Sequence, residues 1–175
     1  MSDRMPAEME IGGNLPRSLV DDLLGAIANQ GATINWDACP TSHGELVAAA
    51  ADRGGHLFLC KDEASYGAME ELEDFCREHG LPFNRSSDAK YEYDGETIMF
   101  RPGLEDRLFN STQDGHLLVS AEALEQALAA AGDGNATAAA EELREVMGRN
   151  VPPLPPFRIV DDEEQSDDSV RQPVS

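Results

Sequence analysis

Residues 60–66 are the best candidate for a chemically active site in the chain. A thiol, an ammonium group and two carboxylates follow one another there, after an apolar run typical of a central strand. A helix is predicted to follow, and open sheets bind ligands where a strand ends and a helix begins. This predicted strand-to-helix turn is therefore the candidate small-ligand site, formed by Cys60, Lys61, Asp62 and Tyr66.

Two chemical roles fit this turn, and each has an ordinary structural alternative. Lys61 could hold an anion, and Cys60 could act as a nucleophile if the helix N-terminus lowered the pKa of its thiol. Equally, Lys61 could pair with neighbouring acids while Cys60 ends a buried strand. Because no nearby His, Asn or second Cys completes a nucleophile pattern, we predict no catalytic residue, and the sequence favours a protein that is not an enzyme.

Two Cys/His pairs have spacings that zinc ligands also use. Cys39 precedes His43, and Cys76 precedes His79. The stronger signal, paired Cys motifs, is missing, and Cys76 falls on the apolar face of a predicted helix, where a thiol usually packs as a small hydrophobe. We therefore predict no metal and no other cofactor.

Charge is the most unusual property of the chain. It has 34 Asp and Glu against 13 Lys and Arg, a formal net charge of −21. A surface this negative repels phosphate backbones and anionic membranes and attracts basic proteins. We therefore expect neither direct nucleic-acid binding nor membrane binding, although adaptation to a salty cytoplasm would produce the same acidity.

The predicted helix over about 67–79 concentrates this charge on one face. Its apolar residues recur at helical spacing on the opposite side. The acidic residues form the candidate binding surface: Glu70, Glu71, Glu73, Asp74 and Glu78. Carboxylates spread over a rigid helix can imitate the phosphates of a nucleic acid, while most such faces are simply solvated.

These observations favour a non-enzymatic binding or regulatory protein that acts on a basic protein partner, with nucleic-acid mimicry as the sharper hypothesis. The alternative is an enzyme or small-ligand-binding protein whose site lies at the turn from Cys60 to Tyr66. The partner's identity and the oligomeric state are not predicted.

The order of elements predicts a single α+β domain in which helices pack on a mixed sheet, with a ferredoxin-like core and additions as one possible topology. Within it, residues 90–93 and 96–101 are predicted to form a hairpin through Asp94-Gly95. A last helix, about 136–147, is predicted to turn Leu143 and Met147 inward.

The predicted boundaries are a flexible N-terminus over 1–8, the domain over 9–149, and a Pro-rich, then acidic, disordered tail over 150–175. Nothing resembles a signal peptide or a membrane span, and three cysteines fit reduced thiols. A cytoplasmic location is therefore expected.

Overall fold

A computed structural model describes residues 3–90, 94–112, 116, 118–132, 135–147 and 150–162. The strands are Arg4–Ile11 (β1), Gly13–Pro16 (β2), Thr33–Ile34 (β3), Leu57–Ser65 (β4), Phe83–Ser87 (β5), Gly95–Phe100 (β6), Arg107–Ser111 (β7) and Phe157–Val160 (β8). The helices are Val20–Gln30 (α1), His43–Asp52 (α2), Glu70–Glu78 (α3), Ala121–Gly132 (α4) and Ala136–Val146 (α5). In the described part of the chain, no helix combines the length and apolarity that a bilayer crossing needs.

Six strands form one sheet in the order β3-β4-β1-β5-β6-β7, and every neighbouring pair is antiparallel. The order β3-β4-β1-β5, with α1 following β1 and α3 following β4, is that of a ferredoxin-like βαββαβ core. The α+β prediction is therefore confirmed. The sheet is antiparallel rather than mixed, since the parallel pair, β2 with β8, forms a separate small sheet.

Alternation along β1 decides which face of the sheet is covered. Its odd-numbered residues from Met5 to Ile11 are buried, and its even-numbered residues are not. The buried face packs against α1 and α3 in one core cluster that includes Leu23, Ile27 and Leu72. Each such aliphatic side chain contributes about 1.5–3 kcal/mol when buried. The two helices are thereby fixed on one side of the sheet.

The N-terminus joins the domain earlier than predicted. Strand β1 begins at Arg4, within the segment expected to be flexible, because it is a central strand with partners on both edges. Met5 pairs with Ala64, and Ala7 pairs with both Lys61 and Ser87. Hydrogen bonding to β4 and β5, which are distant in sequence, orders this N-terminal segment, although its own composition gives little indication of a strand.

The predicted hairpin is wrong in its pairing. Strand β6 pairs with β5, with Ser86 opposite Thr97, and residues 91–93 lie outside the described residues. Gly95 belongs to β6 and is needed for close packing: a Cβ there would lie 2.7 Å from the Ser87 carbonyl oxygen. A glycine that permits a close approach between strands was thus mistaken for a turn former.

The segment 150–162, here called the C-terminal strap, is ordered against the domain, in contrast to the predicted disorder from residue 150. Arg101 donates to the Pro152 carbonyl at 2.8 Å, and His56 Nε2 lies 3.0 Å from the Leu154 carbonyl. Strand β8 pairs with β2, and Phe157 is buried. Prolines lack N–H groups but still offer carbonyl acceptors, which these side chains use. Residues 163–175 lie outside the described residues.

Helices α4 and α5 pack on each other at the far end of the sheet. Leu143 and Met147, predicted to point inward, are exposed. Their helical periodicity is real, but the core that would cover them is missing from the described part of the chain.

We predict that Gly12→Ala loosens the C-terminal strap. A Cβ at Gly12 would lie 2.1 Å from the Pro155 carbonyl oxygen, so the backbone must shift. The free energy of unfolding should fall by about 1–3 kcal/mol, measured by urea denaturation. Gly25→Ala is the control because its Cβ would meet nothing within 4 Å in α1, and it should gain about 0.5–1 kcal/mol. Equal effects of the two substitutions would contradict the tight strap contact.

Candidate binding surface

Four carboxylates on α3 form a single row that faces solvent. Glu70, Glu71, Asp74 and Glu78 are all exposed. At 3.6 residues per turn they fall within an arc of about 100°, and their Cα atoms span about 12 Å along the axis. We call these four residues the acidic stripe. Four of the five residues in the predicted acidic face therefore lie together.

Glu73, the fifth predicted residue, is not part of this surface. It is 6% exposed, and its carboxylate accepts hydrogen bonds from Arg85 Nε at 3.0 Å and from Arg77 Nη2 at 3.2 Å. It also accepts the backbone N–H of Met69 at 3.1 Å, which caps the start of α3. Its position on α3 directs its side chain toward the sheet, where it pairs with Arg85.

The Arg85–Glu73 pair connects α3 to the sheet. Arg85 lies on β5, is 2% exposed, and also donates to Glu96 on β6. Burial makes an unpaired charge very costly, so this contact strongly favours one rotational setting of α3. One Arg85 nitrogen, Nη1, is buried without a hydrogen-bond partner among the described residues. The acidic stripe faces outward because Glu73 faces inward.

The single base on α3 does not neutralise the acidic stripe. Arg77 bonds Glu73 and, at 3.0 Å, Asp106, while its Nη1 is 3.8 Å from Asp74. Burial opposes the charged form of Arg77, but the hydrogen bonds that it donates to Asp106 and Glu73, together with the charges of those carboxylates, raise its pKa. The charge of Arg77 is thus directed toward the sheet side of α3.

The neighbouring helix extends the negative surface. Helix α1 packs against α3, and its exposed Asp21 and Asp22 have no basic residue on the same helix. Gln30 at the end of α1 accepts the Glu71 backbone N–H on its side-chain oxygen at 3.0 Å. The exposed charges on these two packed helices are therefore almost entirely carboxylates.

The segment from Cys60 to Tyr66 is not a strand-to-helix turn. Strand β4 runs on to Ser65, because β1 continues to pair with it beyond the apolar run. A bulge lies at 62–63, where the pairing of β1 skips from Lys61 to Ala64. The prediction failed because an apolar run marks where a strand is covered, not where its hydrogen bonding stops.

The structure brings only two of the four candidate ligand residues to one pocket. Lys61 and Asp62 line a cavity of about 510 Å³ together with Arg4 and Trp36, whereas Cys60 and Tyr66 do not line it. Its remaining lining residues are Gly31, Thr33, Glu63 and Ser65. Both cations are already engaged: Lys61 donates to the Gln30 carbonyl, and Arg4 pairs with Glu63 at 2.9 Å. An anion would have to compete with these contacts.

The environment of Cys60 opposes a nucleophilic role. The side chain is completely buried, and burial raises the pKa of the thiol to about 11. The carboxylate of Glu8 adds to this effect, while backbone hydrogen bonds from Trp36 and Asn35 oppose it. At about pH 8, only about one thiol in a thousand would be ionised.

The two Cys/His pairs lie in separate structural contexts. Cys76 is buried in the core, where burial raises the pKa of its thiol, and His79 packs its ring on Phe75 with centroids 4.5 Å apart. Cys39 contacts the Pro40 carbonyl, and His43 Nδ1 lies 3.4 Å from Arg17 Nη1. Across the described ranges, no group of three or more His, Cys, Asp or Glu side chains is arranged to hold a metal ion.

Sequence reasoning missed the arginines that organise this region. Arg85 lies in a stretch without apolar alternation, and Arg101 is buried on four acceptors, among them the Phe83 carbonyl and Asn84 Oδ1. Bases are few in this chain and acids are many, so each arginine was a candidate for an ion pair. Local sequence does not show, however, which acid pairs with which base.

We predict that Glu73→Gln lowers the free energy of unfolding by about 2–4 kcal/mol, since it leaves Arg85 buried with a weaker partner. Urea denaturation measures the change. Glu78→Gln, an exposed position on the same helix, should change stability by no more than about 0.5 kcal/mol. The double variant Arg85→Met/Glu73→Leu should recover much of the loss. A loss below about 1 kcal/mol for Glu73→Gln would contradict the anchoring role.

We also predict that native-state alkylation at about pH 8 modifies Cys39 first, because it is the only one of the three thiols that is not fully buried. Mass spectrometry after digestion gives the order. Rapid modification of Cys60 without unfolding would contradict its burial and revive the nucleophile hypothesis.

No protein-family model, curated protein or solved structure matches the chain. Its function must therefore be inferred from the chemistry of its own surface.

Proposed function

We propose that this protein is a non-enzymatic binding or regulatory protein that acts on a basic protein partner through the acidic stripe. The observation that carries the proposal is the row Glu70, Asp74 and Glu78, spaced four residues apart, beside which α3 carries a single base, Arg77, 3.8 Å from Asp74. Like charges at this spacing destabilise a helix by about 0.2–0.5 kcal/mol per pair. Glu78 adds a further cost, because it lies at the negative end of the helix dipole.

The spacing of the charges supports nucleic-acid mimicry as the mode of binding. Along one strand of a duplex, phosphates follow each other about every 3.4 Å of axis. The four carboxylates of the acidic stripe, spread over about 12 Å, therefore approach the charge density of one strand over about four phosphates. A groove built to track a phosphate backbone would find a similar charge pattern on a rigid support.

The rigidity of α3 adds to this argument. The Arg85–Glu73 contact holds the helix in one orientation, so the carboxylates are presented without a large ordering cost on binding. We propose a cytoplasmic setting, in which the three thiols would stay reduced. Adaptation to a salty cytoplasm remains the rival explanation of the acidity, and it predicts that no one carboxylate cluster matters more than another.

A second function has one specific observation in its favour. The pocket lined by Lys61 and Asp62 has a volume within the usual range for small ligands, and the single tryptophan of the chain, Trp36, forms part of its wall. A ligand bound there would change the fluorescence of Trp36. Absence of any fluorescence change across a metabolite library would remove the support for this alternative.

We predict that Glu70→Gln/Asp74→Asn/Glu78→Gln, the stripe variant, loses capture of basic partners while its stability is unchanged or higher by about 0.5–1 kcal/mol. Immobilised wild-type and variant chains are exposed to a native lysate at low salt, and bound proteins are quantified by mass spectrometry. A specific partner should fall at least about tenfold on the stripe variant, as loss of several charge contacts implies.

The matched control is Asp37→Asn/Asp52→Asn/Asp88→Asn, which removes the same charge from exposed positions outside α3, α4 and α5. It should capture the partner as the wild type does. Equal capture by all three chains would reject the acidic stripe as the binding surface. Equal loss in both variants would support general acidity, the salt-adaptation explanation, instead.

A further inference from the structure

The exposed apolar side chains of this protein are concentrated in one region. Ten large apolar residues are exposed in the described part of the chain, and seven of them lie between residues 104 and 147. Among the side chains described in α4 and α5, only Ala127 and Ala139 are buried. This pair of helices therefore buries little of its apolar surface, although helices of 12 and 11 residues are marginal without tertiary packing.

Helical geometry places the exposed leucines of the two helices on one surface. Leu124 and Leu128 are one turn apart on α4, and Leu143 and Met147 are one turn apart along and just beyond α5. The α4 pair lies about 60–100° from the buried Ala127, and the α5 pair lies about 40–80° from the buried Ala139, in the same rotational sense. Since a short connection makes the two helices antiparallel, both pairs fall on the same side of the hairpin. We call these four residues the leucine face.

The negative charge of the chain indicates which kind of partner would cover the leucine face. The two helices carry five Glu and one Arg, and the whole chain carries −21. Glu125 follows Leu124 at the outer edge of the leucine face, while Glu145 on α5 is already paired with Arg107 at 3.1 Å. A second copy would bring the same net charge to the contact, and a large net charge opposes self-association.

We infer that the leucine face is the docking surface for a basic amphipathic helix, whose apolar side covers the four residues and whose Lys and Arg side chains reach the surrounding carboxylates. The inference rests on the proposed function in one respect, the basic nature of the partner. It adds a second, apolar contact region on α4 and α5, which would give specificity that charge alone does not provide.

The test uses the full chain and a fluorescent synthetic Leu/Lys peptide with apolar residues at helical spacing. Its control is a scrambled peptide of identical composition, which has the same charge but no apolar side. Anisotropy should show the amphipathic peptide binding at least about tenfold more tightly. Leu124→Gln/Leu128→Gln, the leucine variant, should abolish that preference. Val47→Gln, an exposed apolar position on α2, should keep it.

Equal binding of the two peptides, or a leucine variant that keeps the preference, would overturn the inference. Sedimentation tests whether a second copy of the chain covers the leucine face instead. If the wild type is a dimer and the leucine variant is a monomer, the face binds a second copy, and the inference of a basic helix is overturned. The stripe variant separates this inference from the proposed function. It should keep the peptide preference, so loss of partner capture there and loss of peptide preference in the leucine variant are independent results.

Discussion

The buried contact between Arg85 and Glu73 is the constraint on which the surface of this protein depends. Two oppositely charged groups that are buried away from water must pair, because an unpaired buried charge is very costly. Here the two groups lie on different elements, β5 and α3. Only one rotation of the nine-residue helix satisfies that requirement while its apolar side packs on the sheet. The remaining carboxylates of α3 then have no direction available except toward solvent.

The surface is strongly negative because the chain has 34 Asp and Glu against 13 Lys and Arg. Three of the arginines do little to offset this charge at the surface: Arg85 and Arg101 are buried, and Arg77 is held between two carboxylates. The acids are more numerous, and most of them have no base to meet. An acidic surface follows from this excess of acids, and the ferredoxin-like core supplies a rigid support on which the acidic stripe keeps its spacing.

Local pattern was sufficient for some elements and insufficient for others, for physical reasons. The amphipathic period of α3 predicted the helix and the exposure of four of its five acids, because helical hydrogen bonds are local. Glu73 was wrongly placed on the exposed face because its partner, Arg85, is twelve residues away on a strand. Likewise, the extension of β4 through Ser65, the early start of β1 and the ordering of the C-terminal strap all depend on pairing with distant segments. Sequence composition does not encode these partners directly.

Competition between this protein and a nucleic acid for one captured partner tests the central claim most directly. The partner, a duplex that it binds, and the full chain are mixed and analysed by sedimentation across a range of salt concentrations. Mimicry predicts two mutually exclusive complexes, each weakening as salt rises. A stable ternary complex in which the duplex and this protein share the partner would contradict the claim, because the acidic stripe would then lie outside the nucleic-acid groove.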